Sequence, residues 1–307
     1  MLSTFWQVWI TVITLGSMVG CGLLIHYASR GMKKDETTET TGHEYDGIKE
    51  YDNPMPRWWV IMFWGTIVFG FLYIGAYGLG NFQGMLKLEV DGEKVSWSSA
   101  NQWKAEVQAF DEKIAPLYEE YSAIPVEELV HNEDALMSGQ RLYKSNCSVC
   151  HGTNAKGAKG FPNLTDDDWL YGGTPDAIKQ TITNGRMGIM PAWGSILGDE
   201  GVTNMVHYVR SLSGLSHEED LAEKSVSAYN VNCAVCHGAE GKGNQLLGAP
   251  DLTNEVWLYG GSSKEIEFTL KHGRNGNMPA HKEILGSHAD AKIHLLATYV
   301  YSLSNKQ

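Results

Sequence analysis

A motif that occurs twice constrains this chain more than any other feature. Cys147-Ser148-Val149-Cys150-His151-Gly152 returns as Cys233-Ala234-Val235-Cys236-His237-Gly238. The correspondence continues in order: Pro162-Asn163-Leu164 with Pro250-Asp251-Leu252, Trp169–Gly173 letter for letter with Trp257–Gly261, and Asn184-Gly185-Arg186 with His272-Gly273-Arg274. Met190-Pro191-Ala192 then matches Met278–Ala280, and Tyr208–Ser213 matches Tyr299–Ser304. The offset drifts only from 86 to 91 residues. Preserved order at a nearly fixed offset means two copies of one small domain, expected over residues 135–214 and 215–307.

Cys-x-x-Cys-His is the pattern of covalent haem attachment. Two thiols spaced by two residues reach the two vinyl groups on one porphyrin edge, and the next residue is held beneath the iron. A lone Cys-x-x-Cys is equally a redox dithiol or half a zinc site. A histidine in both copies favours haem, so two covalently bound haem c groups are expected, on Cys147 and Cys150 and on Cys233 and Cys236, with His151 and His237 as axial ligands. Four of the five cysteines are thereby used, leaving Cys21.

A second axial ligand must come from further along each copy. Met190 and Met278 are equivalent in the repeat, and a thioether is a soft ligand suited to iron(II). They lie in Gly- and Pro-rich stretches that read as loops, 185–194 and 273–280. The expected pairs are therefore His151 with Met190 and His237 with Met278, each within one repeat. Met187 competes but has no counterpart, since Asn275 stands in its place; His207, His217, His272 and His281 are rivals read by default as surface or packing residues. Around each haem, a carbonyl at Pro162 or Pro250 is positioned to accept the Nδ1–H of the axial histidine and fix its orientation. Trp169 and Trp257 are expected near the haem or in the core, and Arg186 and Arg274 are candidates to pair with propionates.

The remaining pattern is helical. Segments 135–145 and 221–231 lead into the haem motifs, 175–183 and 263–271 follow caps at Thr174 and Ser262, and 201–212 and 289–303 close the repeats. Sustained strand alternation is absent, so an all-α fold is expected.

Upstream, residues 5–29 and 58–80 contain no Asp, Glu, Lys or Arg. Each exceeds the ~20 residues that span a bilayer as helix, and Trp6, Trp9, Trp58, Trp59 and Tyr77 lie at their ends, where amphipathic rings favour the interface. A cleavable signal peptide fits the first stretch poorly, since it lacks a basic leader and a small-x-small site. Apolar residues continue past Cys21, against a lipoprotein site. Gly16 and Gly20, with Gly65, Gly70, Gly75 and Gly78, are small residues that let membrane helices approach. Arg30, Lys33, Lys34 and Arg57 flank the loop 30–57, which reads as cytoplasmic and puts later residues outside the cytoplasm. Residues 1–80 thus form a membrane anchor, and 81–134 an acidic connector with a short helix over 107–121 interrupted at Pro116. The connector holds most of the net charge of −12. That acidity excludes a nucleic-acid binder, which needs a basic face.

Each repeat resembles a class I cytochrome c domain. In that family a glycine and an aromatic of the first helix cross the last helix. Gly139 and Tyr143 match them, facing Tyr208, while Ser225 and Tyr229 stand opposite Tyr299. The run Glu44-Tyr45-Asp46-Gly47-Ile48-Lys49-Glu50-Tyr51-Asp52-Asn53-Pro54-Met55-Pro56-Arg57-Trp58-Trp59, followed by two haem repeats, resembles the dihaem CcoP/FixP subunit family of cbb3-type haem–copper cytochrome c oxidases. The resemblance spans essentially the whole chain, with the first span as an added helix. It implies an electron-transfer subunit of a bacterial inner-membrane oxidase with its haem domains in the periplasm. Electrons would arrive from a periplasmic or membrane-bound cytochrome c and leave to a monohaem cytochrome c subunit and the catalytic haem–copper subunit. Oxygen reduction in this chain itself is not expected, because the spans offer only His26. Cytochrome subunits of other respiratory enzymes and haem-based sensors share the attachment motif; the segment 44–59 speaks against the first, and the lack of an output module against the second.

Overall fold

The computed structural model describes residues 3–30 and 37–305. Lys33 and Lys34 of the flanking basic set lie outside the described residues. The chain divides into two compact units, residues 1–112 and 113–307.

In the first unit, α1 (Thr4–Arg30) and α2 (Arg57–Tyr77) are both long and apolar enough to cross a membrane. They touch where small residues allow it: a Cβ on Gly22 would sit 3.4 Å from the Trp64 ring, and one on Gly70 would sit 2.7 Å from Met18 Cε. Gly16 and Gly20 face open space instead. Between the helices, β1 (Thr40–Tyr45) and β2 (Ile48–Tyr51) form an exposed antiparallel hairpin. A second hairpin follows, β3 (Lys87–Val90) with β4 (Glu93–Ser96). Then α3 (Ser99–Ala123) runs unbroken through Pro116 into the second unit. Proline removes one backbone hydrogen bond from a helix, and the turns on either side carry α3 past that loss.

The second unit begins with α4 (Val126–Leu129), α5 (Glu133–Asn146) and the single turn α6 (Ser148–His151). It continues with α7 (Pro175–Asn184), β5 (Arg186–Met190) and α8 (Gly194–Leu212), which bends at Gly198. The second repeat supplies α9 (Glu219–Glu223), α10 (Val226–Asn232), the turn α11 (Ala234–His237), α12 (Ser263–His272), β6 (Arg274–Met278) and α13 (Ala289–Ser304). Thr174 and Ser262 cap α7 and α12 by accepting the Ala177 and Glu265 amides, and Glu265 closes a capping box.

The strands correct the all-α expectation: the described residues contain three two-stranded antiparallel sheets. Two are short hairpins whose turns place Asp46-Gly47 and Asp91-Gly92 at positive φ, the geometry a tight hairpin needs. The third pairs β5 with β6, one from each repeat. Its strands alternate in burial, but the inward set is Arg, Gly and Met rather than a row of apolar residues. Such a set leaves no period-two hydrophobic signal.

The closing helices are exchanged between repeats. One core joins Tyr143, Ala155, Ile178 and Ile182 of the first repeat to Leu285, Ile293, Leu296, Ala297 and Val300 of the second. The other joins Val202, Met205, Val206 and Val209 of α8 to Tyr229, Cys233, Ile266 and Leu270. Thus α13 covers α5 and α7, and α8 covers α9, α10 and α12. The physical reason is the short connection after α8. It is pinned back on that helix by Leu215 N–H to the Arg210 carbonyl (2.9 Å), Arg210 Nε–H to the Ser216 carbonyl (2.8 Å) and Glu218 N–H to His207 Nδ1 (2.9 Å). Successive elements joined this tightly pack side by side. A smaller core of Tyr121, Leu129, Ala135 and Leu295 seats the end of α3 and α4 on α5 and α13.

Candidate functional site

The first haem motif is built from α5 onward. Asn132 caps that helix through the Ala135 amide, 3.0 Å, and Glu133 and Asp134 in its first turn complement the helix dipole. Cys147 ends α5, and α6 carries Cys150 and His151 within one turn, with His151 N–H donating to the Cys147 carbonyl at 3.0 Å. The loop after it folds back on the motif: Tyr143 Oη–H donates to the Gly152 carbonyl (2.8 Å), Gly157 N–H to the His151 carbonyl (2.9 Å) and Leu164 N–H to the Ala155 carbonyl (2.8 Å). These bonds bring the Pro162 carbonyl 3.0 Å from His151 Nδ1. A carbonyl only accepts, so the proton is on Nδ1 and Nε2 is the free ligand atom.

The second motif repeats the design. Tyr229 Oη–H donates to the Gly238 carbonyl at 2.9 Å, Gly243 N–H to the His237 carbonyl at 2.8 Å, and the Pro250 carbonyl lies 3.1 Å from His237 Nδ1. Burial pushes the pKa of both histidines down, which keeps each imidazole neutral and able to bind a metal. Burial also pushes the Tyr143 and Tyr229 phenols up to about 12 and the Cys147 thiol to about 11.

The methionines come from the ribbon. In the β5–β6 register Arg186 faces Met278 and Met190 faces Arg274, with Gly188 opposite Gly276 at the centre. Met278 packs against the core that holds Tyr143, with Cys147, Leu164 and Trp169 at its edge. Met190 packs against the core that holds Tyr229 and Cys233, with Leu252 and Trp257 at its edge. The structure therefore brings Met278 to the lobe of His151 and Met190 to the lobe of His237, and it does not bring together the pairs expected within each repeat. Tight backbone crossings enforce this. A Cβ on Gly185 would strike the Met278 carbonyl and one on Gly273 the Met190 carbonyl, and both glycines hold positive φ.

The rival ligands lie elsewhere. Met187 is exposed on the outer face of β5. His207 Nδ1 accepts the Glu218 amide, the Nδ1–H groups of His217 and His281 donate to the Leu215 and Pro279 carbonyls at 2.8 Å, and His272 packs at a tilt beside Phe268. Arg186 and Arg274 each donate Nε–H to a threonine, Thr181 and Thr269, at 2.9 Å.

This donor set fits covalent haem. In each lobe two free thiols and a neutral imidazole share one helical turn, and a thioether packs on the same core. Sequence reasoning missed the exchange, because both closing segments carry the same Met-Pro-Ala and Tyr-Val-x-Ser-Leu-Ser signals and either fits either lobe.

Comparison with known proteins identifies the family of the chain. Residues 37–83 match the family described as the N-terminal domain of cytochrome oxidase-cbb3, FixP. Residues 134–209 and 220–300 each match cytochrome c oxidase, cbb3-type, subunit III. The chain is 40% identical over 302 residues to the cbb3-type cytochrome c oxidase subunit CcoP of Rubrivivax gelatinosus, covering 97% of this chain and 95% of that protein. It is 40% identical over 281 residues to the subunit FixP of Azorhizobium caulinodans, covering 87% and 94%. It is 34% identical over 279 residues to the subunit CcoP of Cereibacter sphaeroides, covering 86% and 94%. With profile matches over most of its length and relatives aligned nearly end to end, the chain belongs to the CcoP/FixP family of cbb3-type cytochrome c oxidase subunits.

Proposed function

We propose that this chain is the dihaem electron conduit of its oxidase. Membership of the family makes it a cytochrome c component of an oxidoreductase complex, and the two apolar helices make it membrane-anchored. The observation that carries the finer reading is the pair of equivalent lobes, each with two thiols, a neutral imidazole and a thioether around one core. Haem c, when bound, supplies one-electron chemistry at iron. His151 and Met278 would hold the first group, and His237 and Met190 the second. With a histidine and a methionine both given to each iron, the group would be left to one-electron transfer, which supports an electron-passing role rather than oxygen reduction. The Pro162 and Pro250 carbonyls orient the imidazoles, Trp169 and Trp257 line the lobes, and Arg186 and Arg274 supply positive charge beside the methionines.

The basic residues flanking loop 30–57 support a cytoplasmic loop, with residues 81 onward in the periplasm. We take 1–80 as the anchor and 81–134 as the connector, with haem repeats over 135–214 and 215–307 whose closing helices are exchanged. Electrons arrive from a periplasmic or membrane-bound cytochrome c and leave to a monohaem cytochrome c subunit and the catalytic haem–copper subunit. Purification of the native membrane complex tests this reading. The chain is expected to carry two covalent haems and to copurify with a copper-containing oxidase subunit. One haem per chain, or copurification without such a subunit, contradicts it.

A further inference from the structure

The block Trp-Leu-Tyr-Gly-Gly recurs without a change at Trp169–Gly173 and Trp257–Gly261, and its tyrosines have no role in the site described so far. Each lies under an arginine of the ribbon. The Arg186 guanidinium carbon is 4.7 Å from the centre of the Tyr171 ring, and that of Arg274 is 4.3 Å from Tyr259 and 4.8 Å from Phe268. A cation held over an aromatic face is an attractive, directional contact. Each tyrosine also reaches the middle of the ribbon: a Cβ on Gly188 would stand 3.1 Å from Tyr171 Oη, and one on Gly276 would stand 3.6 Å from Tyr259 Oη. Each ring also touches the opposite repeat, Tyr171 at Gly248 and Tyr259 at Gly160. Each ring is therefore held between a glycine of the other repeat and an arginine of its own repeat.

The register turns this clamp into a statement about the methionines. Arg186 stands directly across from Met278, and Arg274 directly across from Met190. Alternation puts both pairs on the inner face, while Met187, Ile189, Asn275 and Asn277 point outward. Each arginine is fixed twice, by its ring and by the 2.9 Å bond from Nε–H to Thr181 or Thr269. Fixing an arginine fixes the strand position that faces the methionine. A methionine side chain has three rotatable bonds, so presenting its sulfur at one point requires a rigid backbone beneath it.

We propose that Tyr171 and Tyr259 are positioning residues for the axial methionines of the opposite repeat: Tyr171, through Arg186, for Met278, and Tyr259, through Arg274, for Met190. The proposal rests on the reading that these methionines bind iron. It does not depend on which histidine each one opposes.

The test uses the full chain loaded with haem, with two readouts: the far-red sulfur-to-iron absorption band of the oxidised protein, and a redox titration that resolves two midpoints. Met278→His and Met190→His identify the midpoint belonging to each methionine. Tyr171→Leu is expected to remove about half of the band, as Met278→His does, and to shift the same midpoint. Tyr171→Phe keeps an aromatic face under Arg186 and is expected to preserve both. Tyr259→Leu is expected to follow Met190→His with a smaller effect, because Phe268 also lies under Arg274. Should Tyr171→Leu fail to take up haem, Arg186→Gln carries the same comparison. An unchanged band and midpoints in Tyr171→Leu or Arg186→Gln, or an equal shift of both midpoints, overturns the proposal alone. Methionine variants that leave the band intact overturn the ligand reading and the proposal with it.

Discussion

Tyr143, on the helix that leads into the first Cys-x-x-Cys-His motif, packs its ring at a tilt 5.4 Å from that of Tyr299, on the last helix of the other repeat. Tyr229 makes the matching contact with Tyr208, at 4.9 Å. These two pairs mark the exchange that organises the second unit. Each lobe takes its Cys-x-x-Cys-His motif from one repeat and its methionine and closing helix from the other. Neither repeat has a complete core by itself.

The crossing of α5 and α13 is close because residue 139 has no side chain. A Cβ there would strike the Leu295 carbonyl and lie 2.8 Å from Tyr299 Cβ. Gly139→Val is expected to destabilise the haem-loaded unit by about 1–3 kcal/mol through overpacking. A lower urea midpoint checks this; an unchanged midpoint shows that the helices do not meet there.

Tyr143 is fully buried and donates its hydroxyl to the Gly152 carbonyl at 2.8 Å. Removing the hydroxyl leaves that carbonyl without this donor. Tyr143→Phe is expected to cost about 1 kcal/mol, as is Tyr229→Phe at the equivalent bond. Thermal unfolding of the two variants should show similar decreases.

Ser262 accepts the Glu265 amide, and Glu265 accepts from both the Ser262 amide and hydroxyl. Lys159 of the first repeat, 2.6 Å from the Glu265 carboxylate, and Ser262 together hold that carboxyl down at about 2. Ser262→Ala is expected to cost about 1 kcal/mol of stability as a lost cap. It should also raise the Glu265 pKa, and a carboxyl-resolved NMR titration reads that second effect.

His294 is buried on α13, with its Nε2–H donating to the Ile124 carbonyl at 2.9 Å. Its pKa is pushed down first by burial and then by Lys179, against the opposing effects of the Ile124 bond and Glu127. The folded form therefore binds the proton less readily than the unfolded chain. The stability from neutral His294 is complete above its unfolded pKa, and it is lost as the pH falls through that value and then the folded one. Unfolding midpoints should drop as the pH falls below the ordinary histidine value of about 6.5, with a shallower drop in His294→Gln. Equal slopes in the two proteins count against a neutral His294.

Much of this architecture is legible in the residues. The repeated motif marks the attachment points, Thr174 and Ser262 mark two helix starts, and the spacing from each histidine to Pro162 or Pro250 leaves a loop able to return its carbonyl to the imidazole. The apolar runs mark α1 and α2 to within a few residues. The exchange is not legible, because Met190 and Met278 sit in the same local sequence and either would serve either lobe. The ribbon is hidden for a related reason: β5 pairs only with a strand of the other repeat, and its inward residues Arg186, Gly188 and Met190 carry no apolar alternation. α3 runs through Pro116, and its packed residues, Leu117, Tyr118 and Tyr121, all lie after the proline.

The most direct measurement of the account is the density of the haem-loaded protein at the iron held by His151. The sulfur of Met278 is predicted on the opposite face of that iron, with the sulfur of Met190 on the iron held by His237. Met190 on the iron of His151, or a histidine in place of either sulfur, contradicts the crossed arrangement.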